Sequence, residues 1–268
     1  MNTTDKTRSM GILQMNEGEK KFQLSRYAPS EPLSHFIKHY WTVSWNLEGE
    51  PPYLQDVVPH PCVNMVMEND RSGIYGVSSR VYTKRLEGTG QVFGVKFLPG
   101  GFYPFIHSPL SKLTDQALSV EAVFGTEALR YEQQLHSTAD ITSKIAHTEA
   151  LFLQSLPRQS DAITLINLII SRIQEDRELT KVEQICVLFD INKRKLQRLF
   201  NQYVGISPKW VIKLYRLQNA AEAIDTGRHP DLLKLSAELG YYDQSHFIKE
   251  FKSMIGKTPD MYAKPAAL

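Results

Sequence analysis

The sequence predicts an α+β protein built from two domains, residues 1–157 and residues 158–268. Between about residues 20 and 100, short apolar and aromatic runs alternate with turn residues, which favours a small β-barrel-like or mixed structure. From about residue 101 onward apolar residues recur every three or four positions, as in amphipathic helices. Residues 157–160 are polar and begin with a helix-breaking proline, so we expect the domain boundary there.

The predicted elements follow from these patterns. Runs of strand length lie at residues 40–45, 63–67, 74–77 and 92–98. Helical periodicity follows at residues 119–124, 127–135 and 141–156. Beyond the predicted boundary every element is helical, beginning with the apolar segment 163–173. The N-terminal domain should therefore contain strands followed by trailing helices, and the C-terminal domain should be all-α.

Residues that cap helices mark the ends of the C-terminal helices. Thr180 followed by Glu183 fits a capping box that opens a helix reaching about Phe189. Pro208 occupies a first-turn position that proline tolerates, and it opens a long helix to Asp225. Side chains that accept hydrogen bonds from first-turn amides precede three more helices: Asn192 before the basic segment 193–203, Asp231 before a helix ending at Gly240, and Asp243 before one reaching about Ile255.

Composition restricts the class of protein. A hydrophobic content of 42% is sufficient for packed cores, and a formal net charge of +2 indicates no partner by itself. Cys62 and Cys186 lie far apart, which argues against a disulfide framework and favours a reducing compartment. No apolar run reaches the roughly 18 residues of a membrane span, and the polar N-terminus is unlike a signal peptide. We therefore expect a cytoplasmic protein with no membrane association.

An internal repeat dominates the C-terminal region. Each unit is predicted to be a short helix, a tight turn, a second amphipathic helix, a glycine stop and a Ser/Thr-Pro restart, with the turns at residues 190–192 and 240–242. A duplicated helix-turn-helix is typical of nucleic-acid-binding domains. A helical solenoid is the alternative, but solenoids need three or more units. At a constant offset of 51 positions, Leu196, Phe200, Gly205 and Pro208 are matched by Phe247, Phe251, Gly256 and Pro259.

The second helix of the first unit is basic. One face of the segment 193–203 is apolar, and the other carries basic and amide side chains with no acidic residue. Arginine can donate two hydrogen bonds to guanine, and glutamine or asparagine can pair with adenine in the major groove. A solvated helix face is the ordinary alternative, but such a face would be expected to include acidic residues. The residues predicted to contact DNA in this unit are Lys193, Arg194, Lys195, Gln197, Arg198 and Asn201.

The corresponding helix of the second unit is less basic. Here we expect fewer base contacts and more reading of phosphates or DNA shape. Its predicted contact residues are Gln244, Ser245, Ile248 and Lys249, with Lys252 nearer the DNA backbone. Thr180, Lys209 and Lys213 are further candidates for phosphate contacts, and each is equally typical of an ordinary surface.

Residues 180–262 resemble the DNA-binding domain of the AraC/XylS family of bacterial transcription regulators. The match is strongest at residues 239–252 and 256–259, and the first unit and linker helix match at 193–200, 205–208 and 215–217. Departures are Cys186 and Ser236 where alanine is usual, Asp190 where glycine is usual, and Tyr242 where serine is usual. The resemblance implies a sequence-specific regulator whose two recognition helices read successive major-groove segments about 34 Å apart.

The N-terminal half has a fainter similarity to the sensor-type domain of some members of that family. It rests on residues 94–101, with residues 40–41 upstream and 113–115 downstream. The loop 59–62 departs from the Pro-Asp-Gly turn that is frequent in those relatives. The similarity implies a small β-structure followed by helices, and no particular ligand. Trp41, Trp45 and Tyr53 are the candidates for lining a ligand pocket, and core packing is the alternative.

The sequence contains little that indicates a metal site, a redox-active cysteine or a catalytic site. His35 with His39, and His60 with Cys62, are spaced closely, but no compact four-ligand pattern appears. We interpret the two histidines as polar residues flanking a strand and Cys62 as a small buried residue. Phosphate-loop, Gly-x-Ser-x-Gly and His-Glu-x-x-His motifs are absent from the sequence. We expect neither an enzyme nor a cofactor.

Two hypotheses for the N-terminal domain stay open. It binds a small-molecule effector or a second subunit, or it is purely a protein-interaction module that dimerises. A third hypothesis, an enzyme fused to a DNA-binding domain, lacks a catalytic constellation. A closed apolar pocket would favour the first, and a large self-complementary apolar patch would favour the second. The expected partners are double-stranded DNA, a small-molecule effector, RNA polymerase and a second copy in a homodimer.

Overall fold

The computed structural model describes residues 18–68, 72–225 and 231–263. Within these residues every strand lies before residue 119 and every long helix lies after it, so the predicted α+β class is confirmed. None of the described helices combines the length and the apolar character needed to cross a bilayer.

Six strands form one antiparallel sheet. They are β1 (Gln23–Tyr27), β2 (Ile37–Leu47), β4 (Asn64–Met67), β5 (Gly73–Tyr75), β7 (Gly88–Phe97) and β8 (Ala117–Leu118), whereas β3 (Tyr53–Val57) and β6 (Tyr82–Leu86) pair separately as a two-stranded ribbon. The order across the sheet is β1-β2-β7-β4-β5-β8. The four predicted runs overlap β2, β4, β5 and β7. The sheet is open, because β1 and β8 each pair on one side only, so the barrel-like arrangement does not close.

Alternation along the strands gives the sheet one buried face. Tyr40 on β2 pairs with Val95 on β7, which pairs with Met65 on β4, and all three are fully buried. Helices α1 (Tyr103–Ile106), α2 (Val120–Phe124), α3 (Glu127–Ser137) and α4 (Ile141–Gln154) follow the sheet. Phe97 lies at the centre of the resulting core, with ring centroids 4.9 Å from Phe102 and 5.6 Å from Phe152. Close-packed aromatic rings of this kind fix the helices on the sheet.

The remaining helices form the C-terminal region. They are α5 (Asp161–Glu175), α6 (Val182–Leu188), α7 (Lys193–Leu199), α8 (Pro208–Asp225), α9 (Leu232–Glu238), α10 (Gln244–Ile255) and α11 (Pro259–Ala263). The predicted boundary lies in the non-helical stretch between α4 and α5. Helix α5 contributes to both cores, since Ile163 joins the N-terminal cluster while Ile166 joins the C-terminal one. The division at residue 157 stays a prediction.

Three of the four predicted helix caps are present in the structure, and the fourth is formed by a different residue. Asn192, Asp231 and Asp243 each accept hydrogen bonds from first-turn amides, as predicted. The predicted capping box of Thr180 with Glu183 is wrong. Instead, the Gln184 side-chain oxygen accepts from the backbone amides of Thr180 and Lys181, and the helix begins one residue later. Glu183 and Gln184 have side chains of equal length, and the position one residue later places the acceptor of Gln184 within reach of both amides.

The basic segment predicted as one helix over 193–203 is two pieces. Helix α7 ends at Leu199 and continues as a π-turn over Phe200–Val204. The amide of Gly205 closes this turn by donating to the Phe200 carbonyl at 2.8 Å, five residues back. Gly205 has φ 92°, a left-handed conformation that favours glycine. The π-turn contains one residue more than an α-helical turn, and this additional residue lies at the end of the helix, next to Gly205.

Candidate nucleic-acid interface

The two repeated units have matching contacts. Asn192 accepts from the amide of Lys195 at 2.8 Å, and Asp243 accepts from the amide of His246 at 2.7 Å. The two glycine stops, 51 residues apart, have φ 92° and φ 89°. Four equivalent core positions, Leu196, Phe200, Phe247 and Phe251, are fully buried. The repeat inferred from spacing is thus a repeat of capping, helix termination and core packing.

The turn of the second unit is one residue longer than that of the first. Asp190 and Gly240 open the two turns with φ 46° and φ 72°. They are 50 residues apart, whereas the capping residues Asn192 and Asp243 are 51 apart. The additional residue is Tyr242, whose side chain is fully exposed at the start of α10.

The outer face of α7 carries a group of free polar side chains. We call Arg194, Lys195, Gln197 and Arg198 the basic face; all four are exposed, and their side chains make no hydrogen bond or ion pair within the part of the chain that the structure describes. The buried Leu196 and Phe200 hold the opposite side of the helix against the core. Free guanidinium and amide groups on a protruding helix match the donor geometry of base edges in the major groove.

The other two residues predicted for this unit already have partners. The Lys193 ammonium lies 2.8 Å from Glu183, and the hydrogen bond and charge of that carboxylate raise the lysine pKa. Asn201 accepts a hydrogen bond from the Ser111 hydroxyl at 3.3 Å, so its side chain faces the N-terminal half. Either side chain would have to break its present contact before it could bind DNA.

The second unit exposes a smaller polar surface. Ser245 and Lys249 are exposed on α10, while Gln244 and Ile248 are half-buried, and Lys252 is exposed one turn further on. Lys213, a candidate for phosphate contact, is paired with Glu250 at 2.6 Å. The Lys213 ammonium is therefore less available to phosphate than we expected. Its partner lies 37 residues further along the sequence, too far for the local pattern to indicate it.

Glu250 anchors the second unit to the long helix α8. Besides pairing with Lys213, it accepts a hydrogen bond from the Tyr241 hydroxyl at 2.8 Å. Burial acts to raise the pKa of Glu250, but the hydrogen bonds from Lys213 and Tyr241 outweigh it and hold the pKa below its ordinary value. Arg216 of α8 lies 4.4 Å above the Tyr241 ring and donates to the Leu239 carbonyl. These contacts orient α10, and sequence spacing alone gave no sign of them.

Of the three aromatic candidates for a ligand pocket, Trp45 and Tyr53 share one small cluster, and Trp41 is not part of it. The Trp41 indole covers Gly94 on the neighbouring strand, where an added Cβ would lie 2.3 Å from the ring. Trp45 donates to the Glu87 carbonyl at 3.1 Å and borders a groove with residues 19–24. Tyr53 and Trp45 both pack on the small cluster of Phe22, Leu47 and Leu86. A ligand role for the three residues stays a prediction.

The paired histidines do not form a metal centre in the described residues. Within residues 18–68, 72–225 and 231–263 no three His, Cys, Asp or Glu side chains come together. His35 instead accepts a hydrogen bond from the Ser160 amide at 3.1 Å, which fixes the start of α5 against the N-terminal half. Cys62 is buried, and burial raises the pKa of its thiol.

Comparison with known proteins agrees with the two-part organisation. Residues 185–265 match a family described as a helix-turn-helix domain, and residues 25–119 match a domain of unknown function (DUF6597). An uncharacterized HTH-type transcriptional regulator of Haemophilus influenzae is 29% identical over 37% of this chain and 33% of its own length. The F1 operon positive regulatory protein of Yersinia pestis is 32% identical over 36% of this chain and 33% of its own. The chain thus matches about a third of each relative.

Solved structures similar to this chain include ToxT from Vibrio cholerae. One crystal form covers 91% of this chain and 98% of that protein, at 12% identity and a TM-score of 0.36. A similarity at this level supports no functional conclusion.

The repeated units, their exposed polar helices and the family match define a double helix-turn-helix domain, a class that binds DNA. The helix-turn-helix match over residues 185–265 and the similarity to HTH-type regulators confirm the resemblance drawn from residues 180–262.

Proposed function

We propose that the chain is a sequence-specific DNA-binding transcription regulator of the AraC/XylS type, modulated by its N-terminal domain. The observation that carries the proposal is the basic face of α7, which is exposed and without acidic partners among the described residues. The second unit supplies a further exposed polar helix whose placement is fixed through Glu250. Double-stranded DNA is the partner that both surfaces fit.

The test uses DNA selected by the protein itself. Sites are selected from a random duplex library with the full-length chain, and affinities for the selected and a scrambled duplex are measured by fluorescence anisotropy. Arg194→Ala and Arg198→Ala should each relax the preference at one base position and cost about 1–3 kcal/mol on the selected duplex, as expected for loss of a two-donor contact to guanine.

Arg177→Ala is the matched control. Arg177 is an exposed arginine between α5 and α6, outside both units. Its replacement should leave the base preference unchanged. Equal losses on selected and scrambled DNA in the Arg194 and Arg198 variants would show that these residues contact phosphates alone. No enrichment of any site by the wild-type chain would contradict the proposal itself.

The proposed modulation is supported by contacts between the halves of the chain. The Thr114 hydroxyl donates to the Gly205 carbonyl at 2.8 Å, and the Gln202 amide donates to the Tyr103 hydroxyl at 2.6 Å. The Tyr103 and Tyr203 rings lie 4.3 Å apart. A small-molecule effector that shifts the N-terminal domain would therefore act directly on the first unit.

Self-association is a second candidate role for the N-terminal half. This half exposes Leu129 on α3, Leu153 on α4 and Leu156 directly after α4. Exposed apolar side chains favour contact with a second copy in a homodimer. Sedimentation equilibrium distinguishes a monomer from a dimer, and a contact with RNA polymerase stays a further prediction.

A further inference from the structure

A buried lysine lies on the face of the sheet opposite the main core. Lys96 on β7 pairs with His39 on β2 and with Asn64 on β4, so the three residues form one row across the sheet. Residues paired across antiparallel strands project from the same face. Lys96 exposes only 9% of its surface, and its side chain has no hydrogen bond or ion pair with any residue that the structure describes. The lysine stem is therefore buried, whereas its ammonium nitrogen keeps access to solvent and has no charged partner among the described residues.

The groups around Lys96 are basic. Burial and, to a smaller extent, the positive charges of Lys96, Arg26 and Lys38 together lower the pKa of His39 to about 3. Burial also lowers the pKa of Lys96 to about 8, with Cys62 acting in the opposite direction and Lys38 and Arg26 in the same one. No carboxylate among the described residues acts on either group. The cluster therefore concentrates positive charge around the buried stem of Lys96, at a site that is open to solvent on the side of the exposed Arg26.

We infer that Lys96, together with Arg26, Lys38 and His39, binds the oxyanion of a small organic effector, a carboxylate or a phosphate ester. This inference rests on the proposed effector role of the N-terminal domain. An oxyanion would supply an acceptor that no described residue offers to the Lys96 ammonium, and charge-assisted hydrogen bonds are roughly twice as strong as neutral ones. The Trp41 ring over Gly94, two residues from Lys96, provides an apolar wall for the organic part.

The two strands that border the cluster lead into contacts with the C-terminal domain. Directly after β7, the Pro99 carbonyl accepts a hydrogen bond from Asn167 of α5 at 3.0 Å. Before β4, the Pro59 carbonyl accepts from Gln218 of α8 at 3.2 Å, in the same loop as Cys62. An anion that draws these strands together at Lys96 would thus shift the segments that hold α5 and α8.

The test measures anion binding by the full-length chain without DNA. Thermal unfolding and isothermal titration calorimetry are carried out at pH 7 with phenylacetate, phenyl phosphate, inorganic phosphate and the neutral phenylacetamide. At least one aryl anion should raise Tm and bind, while phenylacetamide should do neither. Comparison of phenylacetate with phenyl phosphate identifies the head group, and inorganic phosphate shows whether the organic part contributes.

Lys96→Met should weaken anion binding at least about tenfold, as expected for the loss of a charge-assisted hydrogen bond. Lys144→Met is the matched control, because Lys144 lies on α4 and bonds Gln91. The Lys144→Met variant should bind the anion with unchanged affinity. A measurement that needs no variant is the pH dependence: between pH 7 and pH 9.5 Lys96 loses its proton, and affinity should fall about 30-fold. His39, whose pKa lies at about 3, is neutral throughout this range.

Three results would overturn the inference: no aryl anion binding at millimolar concentration, equal binding of phenylacetamide, or unchanged affinity in the Lys96→Met variant. DNA selection by the same preparation is measured separately, so failure of the anion site is distinguishable from failure of the proposed regulator function.

Discussion

Replacing Lys96 by methionine should stabilise the effector-free protein at neutral pH. The pKa of Lys96 falls from 10.5 to about 8 in the folded chain, chiefly through burial. Each pH unit of such a change corresponds to about 1.4 kcal/mol, so keeping the proton in the fold costs about 3 kcal/mol below pH 8. Methionine fills a similar volume without a charge and removes that cost. The gain reaches about 3 kcal/mol if the methionine packs as well as the lysine stem.

The sign of the pH dependence gives the sharper test. Between pH 8 and pH 10.5 the unfolded chain binds more protons at this lysine than the folded chain does, so wild-type stability rises with pH in that window. The advantage of Lys96→Met should therefore shrink by about 2 kcal/mol from pH 7 to pH 9.5. Urea unfolding, followed by the fluorescence of Trp41 and Trp45 on β2, measures both values. A variant less stable than wild type at pH 7, or an advantage that does not change with pH, refutes the reasoning.

Two further predictions concern the C-terminal domain. Gly205→Ala should lower the free energy of unfolding by more than the roughly 1–2 kcal/mol of a left-handed alanine, because its Cβ would lie 2.7 Å from the Leu110 carbonyl oxygen. Gly49→Ala, at φ 78° and with no atom within 4 Å of the added Cβ, measures the backbone cost alone, and equal losses in urea unfolding would contradict the packing argument. Residues 158–268 alone should retain preference for the selected DNA over the scrambled duplex in anisotropy. A helical fragment by circular dichroism that binds neither duplex would show that the N-terminal half contributes DNA contacts.

Local chemistry explains which parts of the fold were predictable from the sequence. The caps Asn192, Asp231 and Asp243 were found because a cap acts within three residues of its own position. The four predicted strands are apolar runs, whereas β1, β3, β6 and β8 were missed. In β3 the buried position is Gln55, a polar residue that breaks the apolar pattern. Long-range contacts leave no such periodic signal.

In the candidate sites, too, the residues that could be predicted are those with a local sequence signal. The basic face of α7 followed from spacing on one helix, since the core positions Leu196 and Phe200 fix which side is outward. Lys96 was overlooked although it is a charged residue inside an otherwise apolar strand run, which is the signal that points to it. The partners of Asn201 and Lys213 lie 90 and 37 residues away and required the folded chain.

The contacts between the halves of the chain explain how the N-terminal domain can act on both DNA-reading units. The first unit touches it at its glycine stop, where Thr114 binds the Gly205 carbonyl. The second unit touches it at the equivalent stop: a Cβ on Gly256 would lie 2.8 Å from Val81, and the adjacent Lys257 pairs with Asp56 at 3.1 Å.

Both contacts fall at the same position of the repeat, directly after a recognition helix. The placement of the two recognition helices is therefore set by the N-terminal domain as well as by α8, which joins them. A displacement within the sheet that moves these two contacts unequally would change the separation of α7 and α10. Because successive major-groove segments have a fixed spacing of about 34 Å, such a change in the proposed regulator would alter its DNA affinity without altering any side chain predicted to contact DNA.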